Sequence, residues 1–196
     1  ESDCLGGDDP YSSSKACADL AAQSWRESFG RVPTSIARAG NVIGGGDWSE
    51  DRIIPDLVNA LQSDSKIKIR NPNAIRPWQH VLDCLNGYLK LIDFQIKNSI
   101  NEEWNFGPSD NEIRSVKDLY TEFSNKWGKH LQIEFENSRL KESEVLLLDS
   151  SKSRSKLSWS EKLKFEETVN WTVDWYKHRN PVEITSFQIR KFLEHV

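Results

Sequence analysis

The segment from Thr34 to Trp48 constrains the fold of this chain more than any other. Thr34 to Ala39 is a short run that reads as a strand, and it passes directly into a glycine-rich loop, RAGNVIGGGDW (Arg38 to Trp48). A helix pattern follows from about Arg52 to Gln62. Such loops at strand ends are where α/β sheets bind ligands. The same alternation continues downstream. Lys66 to Arg70 alternates as a half-exposed strand, and the NPNA that follows is a turn. A long helix is predicted from about His80 to Lys97, with Val81, Leu82, Leu85, Tyr88, Leu89 and Ile92 at helical spacing. Glu103 to Gly107 reads as a strand, and Ser115 with Asp118 forms a capping pair that opens another helix. Leu131 to Glu136 and Val145 to Asp149 read as strands. Two or three short helices close the chain, one carrying Trp171 and Trp175 a turn apart. The charged, serine-rich text from Asp149 to Glu161 reads as a solvated helix-and-turn segment. Strands alternating with helices place the chain in the α/β class.

The N-terminal part adds one more helix, from Tyr11 to about Phe29, with Pro10 at its start and Gly30 at its end. Its small apolar residues, Ala16, Ala18, Leu20, Ala21, Ala22 and Trp25, lie on more than one face. That pattern predicts a buried helix, in part against another subunit.

Composition narrows the function classes. A formal charge of −4 gives no electrostatic footprint for nucleic acid. No apolar run approaches the roughly 18–20 residues of a membrane span. Cys4, Cys17 and Cys84 are odd in number and widely spaced, as reduced thiols in a cytoplasmic protein are. His80, His130, His178 and His195 lack zinc-site spacing and no CxxC occurs, so no metal site is expected. At 196 residues the chain suffices for one large domain or two small ones. It contains no methionine and opens in polar, turn-like text, ESDCLGGDDP, which reads as a piece of a longer chain.

Four stretches carry residues suited to chemistry. In DDPYSSSKACADL, Tyr11 and Lys15 stand at i and i+4 and share a helix face. An ammonium beside a phenol favours the phenolate, which makes a general base. Tyr11 is the only tyrosine with a lysine at that spacing. The glycines of RAGNVIGGGDW permit close backbone approach, although the loop has neither P-loop nor GxGxxG spacing. NPNAIRPWQHV places Arg76 just before a helix, and arginine's planar fork suits a diphosphate. WNFG places Asn105 near a strand end. Read singly, each stretch also has a structural explanation.

In this order the stretches are specific. PYSSSK, then ARAGNVIGGGDW, DRIIPD, IRNPNAIRPWQHVLD and WNFGP resemble the extended short-chain dehydrogenase/reductases of the nucleotide-sugar dehydratase type. The wording of the central segments is similar to the branch of CDP-glucose 4,6-dehydratases. The resemblance spans essentially the whole chain, and after about Ile113 it lies mainly in the layout of elements.

The resemblance implies the C-terminal part of a Rossmann-type α/β fold with a smaller α/β substrate-binding domain. Residues 1–47 and 76–109 would belong to the dinucleotide-binding domain, and 48–75 and 110–196 to the nucleotide-sugar domain. Tyr11 would be the active-site base, and Lys15 its partner and a contact to the nicotinamide ribose of NAD. The backbone around Val42 would face that cofactor. Asn41, Arg52, Arg70, Arg76 and Asn105 would bind the substrate, with Asp47 and Trp48 lining its pocket. The implied reaction is dehydration of CDP-D-glucose to CDP-4-keto-6-deoxy-D-glucose. The alternatives are a related epimerase or reductase, and a non-catalytic nucleotide-sugar binding domain. Relatives imply a homodimer or higher homo-oligomer.

The family's GxxGxxG turn is not found among the ten glycines. The Ser/Thr that completes the Tyr–Lys set and the acid/base pair for elimination are expected upstream of Glu1. The 196 residues alone are therefore expected to be inactive and not to retain NAD.

Overall fold

Asp9 and Pro10 start the first helix. The Asp9 carboxylate accepts a hydrogen bond from the Ser12 amide at 2.9 Å, satisfying one of the free donors of the first turn. Pro10 takes the first helical position, where its missing N–H costs nothing. Helix α1 then runs Pro10–Phe29. The computed structural model describes residues 1–136 and 143–194.

After α1 come β1 (Ile36–Ala39), β2 (Val42–Ile43), α2 (Ile53–Ser63), β3 (Lys66–Ile69), β4 (Ile75–Arg76) and β5 (Gln79–His80). Then follow α3 (Val81–Asn98), β6 (Glu103–Phe106), β7 (Arg114–Ser115), α4 (Val116–Trp127) and β8 (Gln132–Phe135). Helices α5 (Ser151–Leu157), α6 (Phe165–Lys177) and α7 (Pro181–Glu194) close the chain. The Ser115–Asp118 pair forms the expected reciprocal capping box of α4.

Three ladders described are parallel: β1 with β6, β2 with β5, and β3 with β8. Parallel neighbours need long crossovers, and α2 and α3 lie within these connections. In the β1–β6 ladder Ile36 stands opposite Glu103 and Ala39 opposite Phe106. The fourth pair, β4 with β7, is antiparallel and sets Arg76 beside Arg114. This is the α/β architecture expected from the alternating pattern.

The largest core packs α2, α4 and α6 around β3, with Leu57, Val58, Leu119, Phe123 and Val169 fully enclosed. A second cluster joins α3 to β6 through Leu91, Trp104, Phe106, Leu157 and Trp159. Gly87 lets α3 approach: a Cβ there would stand 2.5 Å from the Phe106 ring.

Three expectations need correction. Helix α1 is not buried, for none of its residues is enclosed and Leu20, Trp25 and Phe29 stay exposed. Its links to the rest are polar: Arg26 to Glu103 at 3.0 Å, and Asp19 to Arg38 at 2.8 Å. Small apolar residues on several faces show that a helix can be buried, not that this chain supplies the cover. Val145 to Asp149 does not form a strand either. Val145 makes one bridge to Ile75 and the chain then leaves the ladder. Its end is committed elsewhere, because the Asp149 carboxylate accepts from the Ser151 amide at 2.8 Å, at the start of α5.

The third correction concerns Asp149 to Glu161, which is not a solvated segment. Ser153, Leu157 and Trp159 are buried, and the Trp159 indole N–H donates to the Asp83 carbonyl at 3.0 Å. Three of the charges that suggested solvation are paired, Arg154 with Glu161 at 2.6 Å and Lys152 with Glu102 at 2.9 Å.

Candidate functional site

Between β1 and β2 the chain bends at Gly40 and Asn41. The bend is tight: a Cβ on Gly40 would stand 2.8 Å from Pro77. Both strands hold their neighbours through it, the Gly40 amide donating to Phe106 at 3.1 Å and the Asn41 carbonyl accepting from Gln79 at 3.0 Å. The bend opens on a cleft of about 540 Å³.

Residues from α1 and from the stretch 39–54 meet in this cleft, with Trp78 and Leu146 completing its lining. Tyr11 comes from α1, Asn41 and Val42 from the strand bend, Asp47 from the glycine-rich loop, and Arg52 from the entry to α2. Tyr11 is 62% exposed, and among the described residues its hydroxyl has no hydrogen-bond partner. The Lys15 ammonium lies 5.7 Å from the Tyr11 ring centroid, on the same helix face and outside the cleft lining. Arg52 is exposed and precedes α2 with no side-chain cap on that helix. A guanidinium next to uncapped first-turn amides favours an anion. The Asp47 carboxyl is held below its ordinary range by the Ser49 amide, then by the Ser49 hydroxyl and the charge of Arg52.

Other residues expected at the site stand elsewhere. Arg70 approaches Glu136 at 3.7 Å, beyond the ends of β3 and β8. Arg76 donates to the carbonyls of Ile75 and Ser143 at 2.8 and 2.9 Å. Asn105 is buried, with its amide nitrogen on the Asp149 carbonyl at 3.1 Å. Among the described residues its side-chain oxygen has no hydrogen-bond partner. These three residues do not line the cleft. Trp48 is 57% exposed and meets the Tyr176 ring edge-on at 5.1 Å.

The glycine run serves protein packing as well as the cleft. A Cβ on Gly45 would overlap the Trp175 ring, and Gly46 has φ +91°, a conformation that favours glycine. Tyr176 donates its hydroxyl to the Asp47 carbonyl at 2.6 Å. Sequence reasoning did not find this tether, because the partners are 129 residues apart and nothing local marks them.

The burial of two further groups has no signal in the sequence. His80 is enclosed, with Nδ1 accepting from the Leu82 amide at 3.2 Å, and burial lowers its pKa to about 4. Asp83 is also enclosed, and burial raises its pKa to about 6 although it accepts from the amides of Lys162 and Leu163. Both belong to the scaffold behind the cleft.

Comparison with known proteins gives four matches. A family model described as GDP-mannose 4,6 dehydratase matches residues 1–172. CDP-glucose 4,6-dehydratase of Salmonella typhimurium is 39% identical over 189 aligned residues, which cover 90% of this chain and 52% of that protein. Among solved structures, dTDP-glucose 4,6-dehydratase of Streptomyces venezuelae with NAD bound superposes with a TM-score of 0.80 at 22% identity. That match covers 91% of this chain and 54% of that one. UDP-glucuronic acid 4-epimerase of Bacillus cereus, bound to UDP-glucuronic acid and NAD, superposes with a TM-score of 0.77 at 20% identity, covering 90% and 57%. The chain spans about half the length of the curated relatives it matches.

Proposed function

The chain belongs to the GDP-mannose 4,6 dehydratase family, and from that premise we propose that it serves the dehydration of CDP-D-glucose to CDP-4-keto-6-deoxy-D-glucose. The observation that carries the reading is the convergence of Tyr11, Asn41, Val42 and Arg52 on one cleft. Wording close to the Salmonella typhimurium enzyme supports cytidine as the base.

NAD fits this arrangement, because an exposed phenol, with an ammonium beside it on the same helix face, shares a cleft with a strand end whose Val42 is 40% exposed. When bound, NAD would supply the redox chemistry, as the acceptor of a hydride from hexose carbon 4 and its donor to carbon 6. Tyr11 accepts the proton of the 4-hydroxyl. Lys15 holds positive charge beside the phenolate and binds the nicotinamide ribose. The new 4-keto group acidifies the hydrogen on carbon 5, so water leaves across carbons 5 and 6. Arg52 and Asn41 hold the diphosphate, while Arg70, Arg76 and Asn105, expected from the sequence to bind substrate, lie outside the cleft lining. Residues 1–47 and 76–109 form the dinucleotide-binding part, and 48–75 and 110–196 the nucleotide-sugar part. Leu85, Leu89, Ile92 and Ile96 form an exposed stripe on α3 at alternating spacings of four and three residues, which supports a homodimer.

Calorimetry with CDP-glucose tests the substrate assignment. Arg52→Ala is expected to weaken binding about tenfold or more, through loss of a charge-assisted contact to phosphate. Tyr11→Phe is expected to leave affinity within a few-fold and to abolish turnover in the catalytically competent protein. Equal losses of affinity in the two variants would contradict the separate roles. Deuterium at carbon 4 of the substrate separates the reactions, since a dehydratase delivers it to carbon 6 and an epimerase does not.

A further inference from the structure

The loop from Gly44 to Arg52 forms one wall of the cleft and contains no regular helix or strand. Such a segment keeps a defined position only through tethers from outside. Two side chains at the end of α6 meet it. Trp175 lies against Gly45, where a Cβ would overlap its ring, and its indole N–H donates to Thr185 Oγ1 of α7 at 2.8 Å. Tyr176 is 7% exposed, contributes its ring to the main core and donates its hydroxyl to the Asp47 carbonyl at 2.6 Å. Trp48 then closes edge-on against the same ring at 5.1 Å, with an interplanar angle of 89°.

We propose that Tyr176 is a positioning residue for the cleft: its hydroxyl fixes the Asp47 carbonyl, and with Trp175 it sets where Asp47 and Arg52 stand toward a nucleoside diphosphate-sugar. The geometry is directional. The ring is anchored in the core and only the oxygen reaches the loop. Burial pushes the phenol up to about 12, so it remains a hydrogen-bond donor across the neutral range. α7 enters the same chain of contacts through Thr185, which ties the C-terminal helix to the cleft wall. Gly45 is then required by the indole that packs on it, independently of any phosphate. The link to a sugar nucleotide rests on the function proposed above.

Hydrogen exchange and calorimetry on wild type and Tyr176→Phe test the proposal. The expected result is faster exchange at the amides of Gly45, Gly46, Trp48 and Ser49, with no change at the amides of Leu57 and Val58 in α2. CDP-glucose affinity is expected to fall about three- to tenfold, the range of one hydrogen bond. Unchanged exchange in the loop overturns the tether. A loosened loop with unchanged affinity overturns its link to the cleft. A general rise in exchange that includes α2 assigns Tyr176 to the core alone and also overturns the proposal. If wild type binds no CDP-glucose, the proposed substrate fails, and the loop exchange alone decides the tether. Thr185→Val, at an exposed position, reads the same coupling from α7 without altering the core; the expected result is a smaller acceleration at the same amides.

Discussion

Replacing Trp159 with alanine removes the anchor that holds the segment after residue 148 to the β6 layer. The indole is 1% exposed and meets Phe106 edge-on at 5.2 Å. Its N–H donates to the Asp83 carbonyl at 3.0 Å, and the Arg154 guanidinium lies 5.3 Å from the ring centroid. Truncating a buried tryptophan costs about 3–5 kcal/mol. Within that total the aromatic pair contributes about 0.5–1.5 kcal/mol and the stranded carbonyl about 1–3 kcal/mol. Trp159→Phe keeps a ring against Phe106 and loses only the donor and some volume, so its cost is about 1–2 kcal/mol. For a chain of this size each kcal/mol lowers the melting temperature by about 2–4 °C, so alanine should lower it by about 6–20 °C. Urea unfolding followed by far-ultraviolet circular dichroism checks this, with the midpoint shifted and the slope unchanged. An alanine variant within about 0.5 kcal/mol of wild type, the range of surface substitutions, would refute the reasoning and return residues 149–161 to solvent.

The pH dependence of stability should carry two opposed contributions. The folded-state pKa of Asp83, about 6, lies above the ordinary value of 3.8, so this group adds stability as pH falls through 6. That of His80, about 4, lies below the ordinary 6.5, so this group removes stability over nearly the same interval. Asp83→Asn leaves the histidine loss uncompensated, and its melting temperature should fall more steeply between about pH 7 and pH 5 than that of wild type; parallel curves count against this assignment. Gly45→Ala should cost about 1–3 kcal/mol by overpacking against Trp175, measurable by the same urea titration. In Leu89→Asp, sedimentation should show a monomer whose far-ultraviolet circular dichroism is unchanged, because Leu89 is 67% exposed on α3; a persisting dimer would place the interface elsewhere.

Much of the architecture was legible because its signals are local. Asp9 and Pro10 mark the start of α1, Ser115 and Asp118 that of α4, and the apolar period of α3 needs only neighbouring residues to be seen. The motif order from Tyr11 to Gly107 was legible for the same reason, since each motif is a short contiguous string. Errors arose where burial depends on a distant partner. The serine-rich text around Trp159 carries many charges, and nothing within it shows that Asp83 waits to accept its indole N–H. α1 has the composition of a buried helix, yet whether it is covered depends on what packs on it.

The candidate site divides along the same line. Sequence alone determined the residue types and their local settings: a phenol and an ammonium one helical turn apart, a strand running into a glycine loop, and an arginine at a helix entry. Tertiary structure decided which of these share a cleft. It brought Tyr11, Asn41, Val42, Asp47 and Arg52 together, and placed Arg70, Arg76 and Asn105 outside its lining. It also decided why position 45 is glycine: the Trp175 ring occupies the space a side chain there would need. Local backbone preferences act over a few residues and can be read in order along the chain. Shared occupancy of one volume by segments up to 129 residues apart arises only when the chain closes on itself.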